Sequence, residues 1–349
     1  MKVVIAGVQV PFVRGGGELM MENLVSAFRE AGHQTELVMM PFRFGPPAAV
    51  HRSMAAWKQE EFESLGLGEQ DLFLPLKFPA FYAQHPNKVC WLMHQHRSVY
   101  ELWGTANGPI ISDPAETELK AEIEAQDTLC LAAAKKVFTI SDRVSERLME
   151  HNGIASEPLL QPPPNADQYF CDEQLPYILV PSRLESLKRQ DLAIRALATS
   201  GSNVRIVIVG TGGQAGALAA LAQSLGVEDR VLFTGEVSRR ELIAWYANAL
   251  AVFFAPFDED YGFVTLEAML SAKPVVTCID SGGPLSFVID EKTGFICNPD
   301  PDDIASAFDR LWSDHSWAKK IGGQAREHYA TLNLSWAHVV SRLTDAAGV

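Results

Sequence analysis

The sequence has few cysteines and no excess of positive charge. Its five cysteines are scattered over 349 residues and never form a CxxC pair. This excludes a disulfide framework and the common zinc-binding spacings, and it favours reduced thiols in the cytoplasm. Lysine and arginine number 29 against 43 aspartates and glutamates, so the net charge is −14. Because so acidic a chain has no general attraction for phosphate backbones, we expect no nucleic-acid partner.

Long apolar runs are also missing. No stretch approaches the roughly 20 consecutive apolar residues that span a bilayer. The apolar segment Met1–Val10 leads into glycines and not into a signal-peptide cleavage site. We therefore expect a cytoplasmic protein with at most peripheral membrane contact. Hydrophobic residues still make up 47% of the chain, which is enough for sizeable cores. At roughly 150 residues per domain the length predicts two domains, with a single α/β barrel as the alternative.

Strand and helix patterns alternate from the start of the chain. Lys2–Val8 is continuously apolar and rich in β-branched residues, which is typical of a strand buried on both faces. Glycines follow, then apolar residues at helical spacing up to Gly32, then a second strand pattern at Gln34–Met40. This order predicts a parallel sheet. Pro41–Gly68 is less regular, and we interpret it as loops with a short helix.

A proline run separates this series from a second one. Pro162–Pro164 cannot continue a helix or a central strand, so it is the best linker candidate. The second series runs from a predicted strand at Tyr177–Val180 to one at Pro274–Thr277, and a helical tail follows. We predict an α/β protein with two Rossmann-like domains whose parallel sheets face each other across a cleft. The expected domains are residues 1–165 and 166–330, and a helix at 331–349 is expected to pack back on the first domain.

Two carboxylates separated by seven residues form the first candidate site. Glu259 precedes a predicted helix, and Glu267 lies in its first turns. The free amides at the start of that helix, expected at Gly262, Phe263 and Val264, favour a negatively charged group. One carboxylate can reach the hydroxyls of a sugar while the other holds a ribose diol. The alternative is a solvated acidic loop followed by an ordinary helix glutamate.

Two cations follow the strand Tyr177–Val180. Arg183 and Lys188 lie in the loop after this strand, and ligands of doubly wound sheets bind beyond the carboxyl ends of strands. A bidentate guanidinium and a point-charge ammonium suit a diphosphate. Taken alone, the pair is more typical of ordinary surface charge.

Glycine loops occur in both halves. Gly15–Gly17 opens the first helix, where glycine lets backbone amides approach a phosphate or substrate closely. Gly210 and Gly212 follow another predicted strand. The dinucleotide-binding GxGxxG spacing is not satisfied, and each loop alone is compatible with a purely geometric role.

Two histidines follow a predicted strand of the first half. His94 and His96 are both expected to face the cleft, where either can donate to a substrate oxygen. A zinc site requires further ligands, and no HExxH, CxxC or clustered acid accompanies them. We therefore expect no metal and no cofactor.

Together these motifs resemble those of a known family. Glu259 to Glu267, with Tyr261-Gly262 between them, looks like the EX7E motif of the retaining GT-B glycosyltransferases of family four (group 1). Ser182-Arg183-Leu184 with Lys188 is similar to its donor-phosphate motif. The resemblance covers nearly the whole chain and is strongest between Tyr177 and Cys297. One departure lies after Gly282-Gly283, where the family often has an acid and this chain has Ser286 and Phe287.

The resemblance implies a role for each matching residue. Arg183 and Lys188 would hold the donor diphosphate, Glu267 the nucleotide ribose, and Glu259 the transferred sugar. His94 would match the family's cleft histidine, with His96 as the alternative. The remaining donor-site candidates are glycines and helix-start residues: Gly16, Gly17, Gly210, Gly212, Gly262, Phe263 and Val264.

The reaction that this resemblance implies is sugar transfer from a nucleotide-sugar, either UDP- or GDP-linked, with retention of anomeric configuration. The acceptor would be a hydroxyl of a carbohydrate or glycolipid, in polysaccharide or glycolipid assembly. A front-face attack is expected, in which the leaving phosphate takes the acceptor proton. Asp258-Glu259-Asp260 resembles a metal-binding DxD element, but it overlaps the EX7E motif, so we expect metal-independent transfer.

Three other functions compete with this one. A nicotinamide oxidoreductase requires GxGxxG and an acid about 20 residues later, and the sequence has neither. A non-hydrolysing sugar-nucleotide epimerase shares the two-domain layout and is the nearer rival. A catalytically silent nucleotide-sugar binding protein is disfavoured by the intact Glu259, Glu267, Arg183 and Lys188.

Overall fold

The computed structural model of the chain describes residues 1–12, 15–60 and 69–348. Part of the irregular segment Pro41–Gly68, namely residues 61–68, therefore lies outside the described residues. The chain divides into two compact units. Unit 1 consists of Met1–Pro164 and Leu334–Val349, and unit 2 consists of Asn165–Asn333.

Unit 1 is built on parallel strands. The first three strands lie in the order β2-β1-β3, and the next three in the order β4-β5-β6. Isolated parallel bridges, Phe73 to Lys88 and Lys77 to His94, connect the β3 and β4 segments. The carboxyl ends of these strands therefore lie along one edge. The strands are β1 (Lys2–Gln9), β2 (Gln34–Pro41), β3 (Leu72–Pro75), β4 (Val89–Leu92), β5 (Lys136–Thr139) and β6 (Glu157–Pro158).

Helices connect these strands, and local signals determine where they begin and end. The Asp113 side chain accepts a hydrogen bond from the Ala115 amide at the start of the third helix. Ser141 caps the fourth helix, and Gly153 ends it in the left-handed conformation. These side-chain caps and the left-handed glycine set the bounds of the two helices. The helices are α1 (Gly16–Glu30), α2 (Pro47–Gln59), α3 (Pro114–Ala132) and α4 (Asp142–Asn152).

Unit 2 contains a six-stranded parallel sheet. Its order is β12-β11-β10-β7-β8-β9, so the direction of winding reverses between β7 and β10. Ligands of such sheets bind beyond the carboxyl ends of the strands at this switch point. The strands are β7 (Tyr177–Pro181), β8 (Arg205–Val209), β9 (Val231–Gly235), β10 (Ala251–Phe253), β11 (Val275–Cys278) and β12 (Gly294–Cys297).

Buried apolar residues cover both faces of this sheet. Ile178 and Ile206 belong to one cluster with Phe308, and Leu179 and Val207 belong to another with Tyr246. Alternate residues of each strand thus point to opposite helical layers, as expected for a parallel sheet. The helices are α5 (Gln190–Thr199), α6 (Ala215–Ser224), α7 (Arg239–Asn248), α8 (Phe263–Leu270), α9 (Pro301–Ser313) and α10 (His315–Thr331).

The chain returns to unit 1 in its last helix, α11 (Trp336–Ala347). Lys135 donates a hydrogen bond of 2.9 Å to the carbonyl of Ala347. The indole rings of Trp91 and Trp336 lie edge to face at 6.2 Å. These contacts bind α11 to the β4 and β5 region of unit 1. In the part of the chain that the structure describes, no helix has the length and apolar character needed to cross a membrane.

Candidate functional site

The switch point of unit 2 brings Lys188 and Glu259 together. Lys188 lies in the loop after β7 and Glu259 in the loop after β10. Lys188 Nζ is 2.5 Å from Glu259 Oε2, and the two side chains are 16% and 20% exposed. The ammonium also lies 5.6 Å from the centre of the Phe254 ring. This contact places a paired cation and carboxylate where the fold binds ligands.

Arg183 occupies the same loop, but its side chain contacts neither Lys188 nor Glu259. Its side chain is exposed, and its carbonyl accepts a hydrogen bond of 2.9 Å from Gln190 Nε2. Over the described ranges, no hydrogen bond or ion pair joins its guanidinium to another side chain. The structure therefore brings together Lys188 and Glu259 but does not bring Arg183 into contact with either.

Gly210 and Gly212 support this loop from β8. Both have positive φ, and a Cβ at Gly210 would lie 2.1 Å from the carbonyl oxygen of Ser182. The Leu184 amide donates to Thr211 O at 2.9 Å, and the Gln214 amide donates to Leu184 O at 2.9 Å. These glycines thus let the two loops pack backbone against backbone, which is the geometric role that the sequence left open.

The start of α8 lies beside Glu259. Gly262 is the N-cap residue with φ 89°, so Phe263 and Val264 form the first turn, where amides lack intrahelical acceptors. The Glu259 amide donates to Ser281 O at 3.0 Å, and the Gly283 amide donates to Glu259 O at 2.7 Å. The loop that carries Glu259 is therefore hydrogen-bonded to the loop after β11.

Glu267 lies on α8 and is only 6% exposed. Its Oε2 accepts a hydrogen bond of 2.7 Å from the Tyr246 hydroxyl, and its Oε1 is 3.4 Å from the Arg239 guanidinium. Burial, followed by the charge of Glu267, raises the pKa of Tyr246 well above its ordinary value, so this hydroxyl remains a donor. Tyr246 and Arg239 orient the carboxylate, and sequence reasoning missed both.

Arg189 is a further residue that the sequence did not reveal. It forms a bidentate ion pair with Asp280, with distances of 2.7 and 2.6 Å. It also donates to the carbonyls of Ala255 and Pro256 at 2.8 and 2.9 Å. Asp280 is 91 residues away along the chain, so no local motif indicates this pair.

Unit 1 presents a second group of candidate residues at the carboxyl edge of its strands. Gly16 and Gly17 begin α1, and Glu18 accepts a hydrogen bond of 2.9 Å from the Gly15 amide. Lys77, which follows β3, pairs with Glu18 at 3.2 Å and is 7% exposed. Sequence reasoning missed Lys77, because a single lysine after a short strand carries no pattern of its own.

His94 and His96 have different surroundings. His94 is half-buried, and its Nδ1 is 2.7 Å from the Gln95 carbonyl, which can only accept. This contact places a proton on Nδ1. His96 is 4% exposed, and its ring packs on Phe78 at 5.0 Å. Burial, with a smaller effect of His94, lowers the pKa of His96 to about 4, so this ring is neutral at physiological pH.

A buried polar network lies beneath the histidines. Asp127 is fully buried and accepts hydrogen bonds from Tyr82, Gln95 and Tyr100 at 2.7 to 2.8 Å. Burial raises the pKa of Asp127 to about 7, although the three hydrogen bonds act in the opposite direction. The bond from Gln95 Nε2 fixes the segment that carries His94.

Two further observations define what the described residues offer. A cavity of about 420 Å³ lies at the amino ends of β1 and β2, beside Lys2, Arg29 and Gln34. This is the opposite edge from the one at which α/β sheets bind ligands. Within residues 1–12, 15–60 and 69–348, no three His, Cys, Asp or Glu side chains come together as a metal site would require.

Comparison with known proteins relates part of this chain to a family. Residues 164–328 match the family model described as "Glycosyl transferases group 1". Alpha-1,3/1,6-mannosyltransferase ALG2 of Dictyostelium discoideum is 36% identical over 101 residues, which cover 29% of this chain and 24% of that protein. D-inositol 3-phosphate glycosyltransferase of Nocardiopsis dassonvillei is 28% identical over 262 residues, which cover 67% of this chain and 60% of that protein. The chain thus spans between about a quarter and three fifths of the length of these curated relatives.

Solved structures match over almost the whole chain. Sucrose-phosphate synthase from Thermosynechococcus elongatus has a TM-score of 0.78 at 18% identity, covering 98% of this chain and 97% of that one. Anabaena HepE, solved in complex with UDP and glucose, has a TM-score of 0.74 at 17% identity, covering 99% and 100%. The prediction of a GT-B fold is therefore confirmed. Within this fold, residues 164–328 of the chain match the family model of the group 1 glycosyl transferases.

Proposed function

We propose that this chain is a retaining glycosyltransferase. It transfers a sugar from a UDP- or GDP-sugar to a hydroxyl of a carbohydrate or glycolipid acceptor, in polysaccharide or glycolipid assembly in the cytoplasm. The observation that carries the proposal is the 2.5 Å contact between Lys188 and Glu259 at the switch point of unit 2. It supports a site at which one cation serves both the diphosphate and the group that binds the sugar.

The charges suit the reaction. Glycosyl transfer develops positive charge on the sugar ring and negative charge on the leaving diphosphate. Lys188 has three N–H donors, so it can pair with Glu259 and still donate to a phosphate oxygen. Arg183, exposed in the same loop, supplies a second cation. The free amides at the start of α8 add partial positive charge. Charges fixed in place before the reaction stabilise the negative charge that develops on the leaving diphosphate in the transition state.

Two carboxylates divide the work on the donor. Glu259, 20% exposed, accepts hydrogen bonds from hydroxyls of the transferred sugar. Glu267, held by Tyr246 and Arg239, accepts both hydroxyls of the ribose. A carboxylate has enough lone pairs to bind a diol and to keep its protein partner. The UDP bound to HepE supports a UDP-sugar as the first donor to test.

Unit 1 serves the acceptor. Its strand ends carry Gly16, Gly17 and His94, which we assign to contact with the acceptor. Phe44, 61% exposed, stacks at 6.4 Å on the buried ring of His96. Polar groups beside an exposed aromatic ring are the kind of surface that a carbohydrate requires.

Retention follows from a front-face mechanism. The bond between the anomeric carbon and the phosphate oxygen breaks, and the acceptor oxygen bonds to the same face of the ring. The leaving phosphate takes the proton of the acceptor hydroxyl. Glu259 pairs with Lys188 in this geometry, so we assign it to sugar binding and not to nucleophilic attack.

One series of measurements tests the proposal. A thermal-shift screen against UDP, GDP and their sugars identifies the donor, since a ligand at 100-fold its Kd stabilises by roughly 2.7 kcal/mol. Radiolabelled donor then separates the candidate functions: transferred label supports a transferase, an epimerised donor supports an epimerase, and binding without turnover supports a silent binder. The anomeric configuration of the product, read by NMR, tests retention.

A further inference from the structure

Arg189 has an unusual backbone conformation for its residue type. It directly follows Lys188 and is the N-cap of α5, with φ 49° and ψ 41°. This is the left-handed region, which a Cβ atom disfavours and which glycine adopts easily. A non-glycine residue remains there when its surroundings hold it in place, and such residues cluster at functional sites.

The side chain of Arg189 holds the backbone in this conformation through its hydrogen bonds. Its guanidinium forms the bidentate pair with Asp280, which lies just after β11. Its remaining bonds go to the carbonyls of Ala255 and Pro256, which lie just after β10. The rigid fork of arginine allows all four bonds at once, whereas a lysine ammonium lacks this geometry. Arg189 therefore joins the loops that follow β7, β10 and β11.

These loops determine where Glu259 lies. The Phe257 amide donates to Leu187 O at 2.8 Å, and the Asp258 amide donates to Asp280 O at 2.9 Å. Glu259 is the next residue, and its partner Lys188 is the neighbour of Arg189. Both ends of the ion pair are thus set by the residues that Arg189 connects.

We propose that Arg189 is a positioning residue, which fixes the Lys188–Glu259 pair by joining three loops at the switch point. The inference rests on the proposed function, because the pair matters for turnover only if the chain transfers a sugar. It assigns to Arg189 no contact with donor or acceptor. Its removal is therefore expected to affect the rate of transfer more than the binding of the nucleotide.

The test compares Arg189→Gly, Arg189→Ala and Arg189→Lys in the full chain. The matched control is Arg195→Ala, which removes an exposed arginine of the same helix, 3.6 Å from Asp191. Arg189→Gly is expected to lower kcat roughly 100-fold, the usual cost of a misplaced reacting group, with a small change in donor KM. Arg189→Ala is expected to lower kcat by the same factor. Its melting temperature should be lower than that of Arg189→Gly, because alanine is strained at this left-handed backbone position and glycine is not. The control should retain wild-type kcat within about twofold.

Hydrogen exchange provides a readout that does not depend on activity. The amides of Phe257, Asp258 and Glu259 should exchange faster in Arg189→Gly and stay protected in Arg195→Ala. If these amides stay protected, or if kcat is unchanged while they exchange faster, the positioning role is overturned. If Arg189→Lys has the kcat and the amide protection of wild type, a positive charge alone is sufficient. The claim that the planar guanidinium is required would then be wrong. If the wild type transfers no sugar from any donor, the proposed function fails, and the role of Arg189 in turnover is overturned with it. Slower exchange of these three amides in wild type than in Arg189→Gly would then still show that Arg189 holds the loop.

Discussion

Lys188 contacts two different parts of the proposed donor site, since it pairs with Glu259 and lies over Phe254. Lys188→Ala removes the charge expected to meet the diphosphate and leaves Glu259 without its cation. We expect the initial rate of transfer to fall by roughly two to three orders of magnitude. Arg183→Ala should fall in the same range, although its exposed side chain makes no contact with Glu259.

Initial rates with a radiolabelled donor check this expectation, and a melting curve of each variant shows that the fold persists. Arg195→Ala serves again as the control for loss of an arginine from this region. Near-normal turnover in Lys188→Ala would contradict a role for Lys188 in the donor site and would indicate ordinary surface charge.

Glutamine substitutions at Glu259 and Glu267 are expected to have different effects on nucleotide binding and turnover. Glu267→Gln replaces a carboxylate that Tyr246 and Arg239 orient with an amide that accepts fewer hydrogen bonds. It should weaken UDP or GDP binding by roughly tenfold or more, the scale of one lost charged hydrogen bond. Glu259→Gln should keep nucleotide affinity and lose turnover.

Calorimetry with the bare nucleotide diphosphate separates these outcomes, since no sugar is present to contact Glu259. Tyr246→Phe is a useful companion, because it removes the donor that orients Glu267 while it retains the ring. Equal and unchanged affinity in both glutamine variants would contradict the assignment of ribose to Glu267.

At the scale of elements, the Asp127 network joins α3 to the segment that carries His94. Burial raises the pKa of Asp127 above the ordinary value of a carboxyl group, to about 7. Its protonated form is therefore favoured by folding. The stability that this gives is complete below about pH 4 and is lost as pH rises through about 7.

Asp127→Asn removes this titration while it retains an oxygen that can accept from Gln95 and Tyr100. We expect the melting temperature of the variant, relative to wild type, to rise between pH 5 and pH 8 by about 5 °C. Melting curves of both proteins across this range provide the measurement. A constant difference would show that Asp127 keeps an ordinary pKa in the fold.

The sequence predicts the elements best where a long apolar pattern meets a clear boundary. The strand expected at Tyr177–Val180 is present in the structure as Tyr177–Pro181. The sequence does not predict the strand Gly294–Cys297, because four residues that begin with glycine carry too short a pattern. The helix Pro47–Gln59 is longer than the short one expected, because its proline start and few apolar positions gave a weak signal.

The residues of the candidate site likewise divide into those that a local sequence pattern indicates and those that it does not. Lys188 and Glu259 belong to recognisable spacings, so the sequence could indicate them as candidates. Arg189 could not be found in this way, because Asp280 comes from another loop of the sheet. Tyr246 and Lys77 likewise act through partners 21 and 59 residues away. Contacts between loops depend on strand order, which local patterns do not contain.

At the scale of the whole molecule, metal dependence is the prediction that separates this fold from glycosyltransferases with a DxD element. Asp258-Glu259-Asp260 includes a glutamate already paired with Lys188. A hard divalent ion requires several well-placed oxygen ligands. We expect transfer to continue in excess EDTA, with at most a modest effect of added magnesium.

The measurement is the initial rate with chelator and again after dialysis. A nucleotide-binding assay under the same conditions controls for effects of EDTA on the donor. Activity that disappears and returns with magnesium or manganese would overturn the metal-independent mechanism.

Unit 1 is assembled from two separate stretches of chain, and this has a consequence for biosynthesis. The residues before Pro164 leave the ribosome first, yet α11, which packs near Trp91, is made only after all of unit 2. At the usual rate of translation this delay is on the order of ten to forty seconds. Unit 2 is one continuous stretch and needs no later segment. The half of the protein that is translated second is therefore the first to have all of its parts.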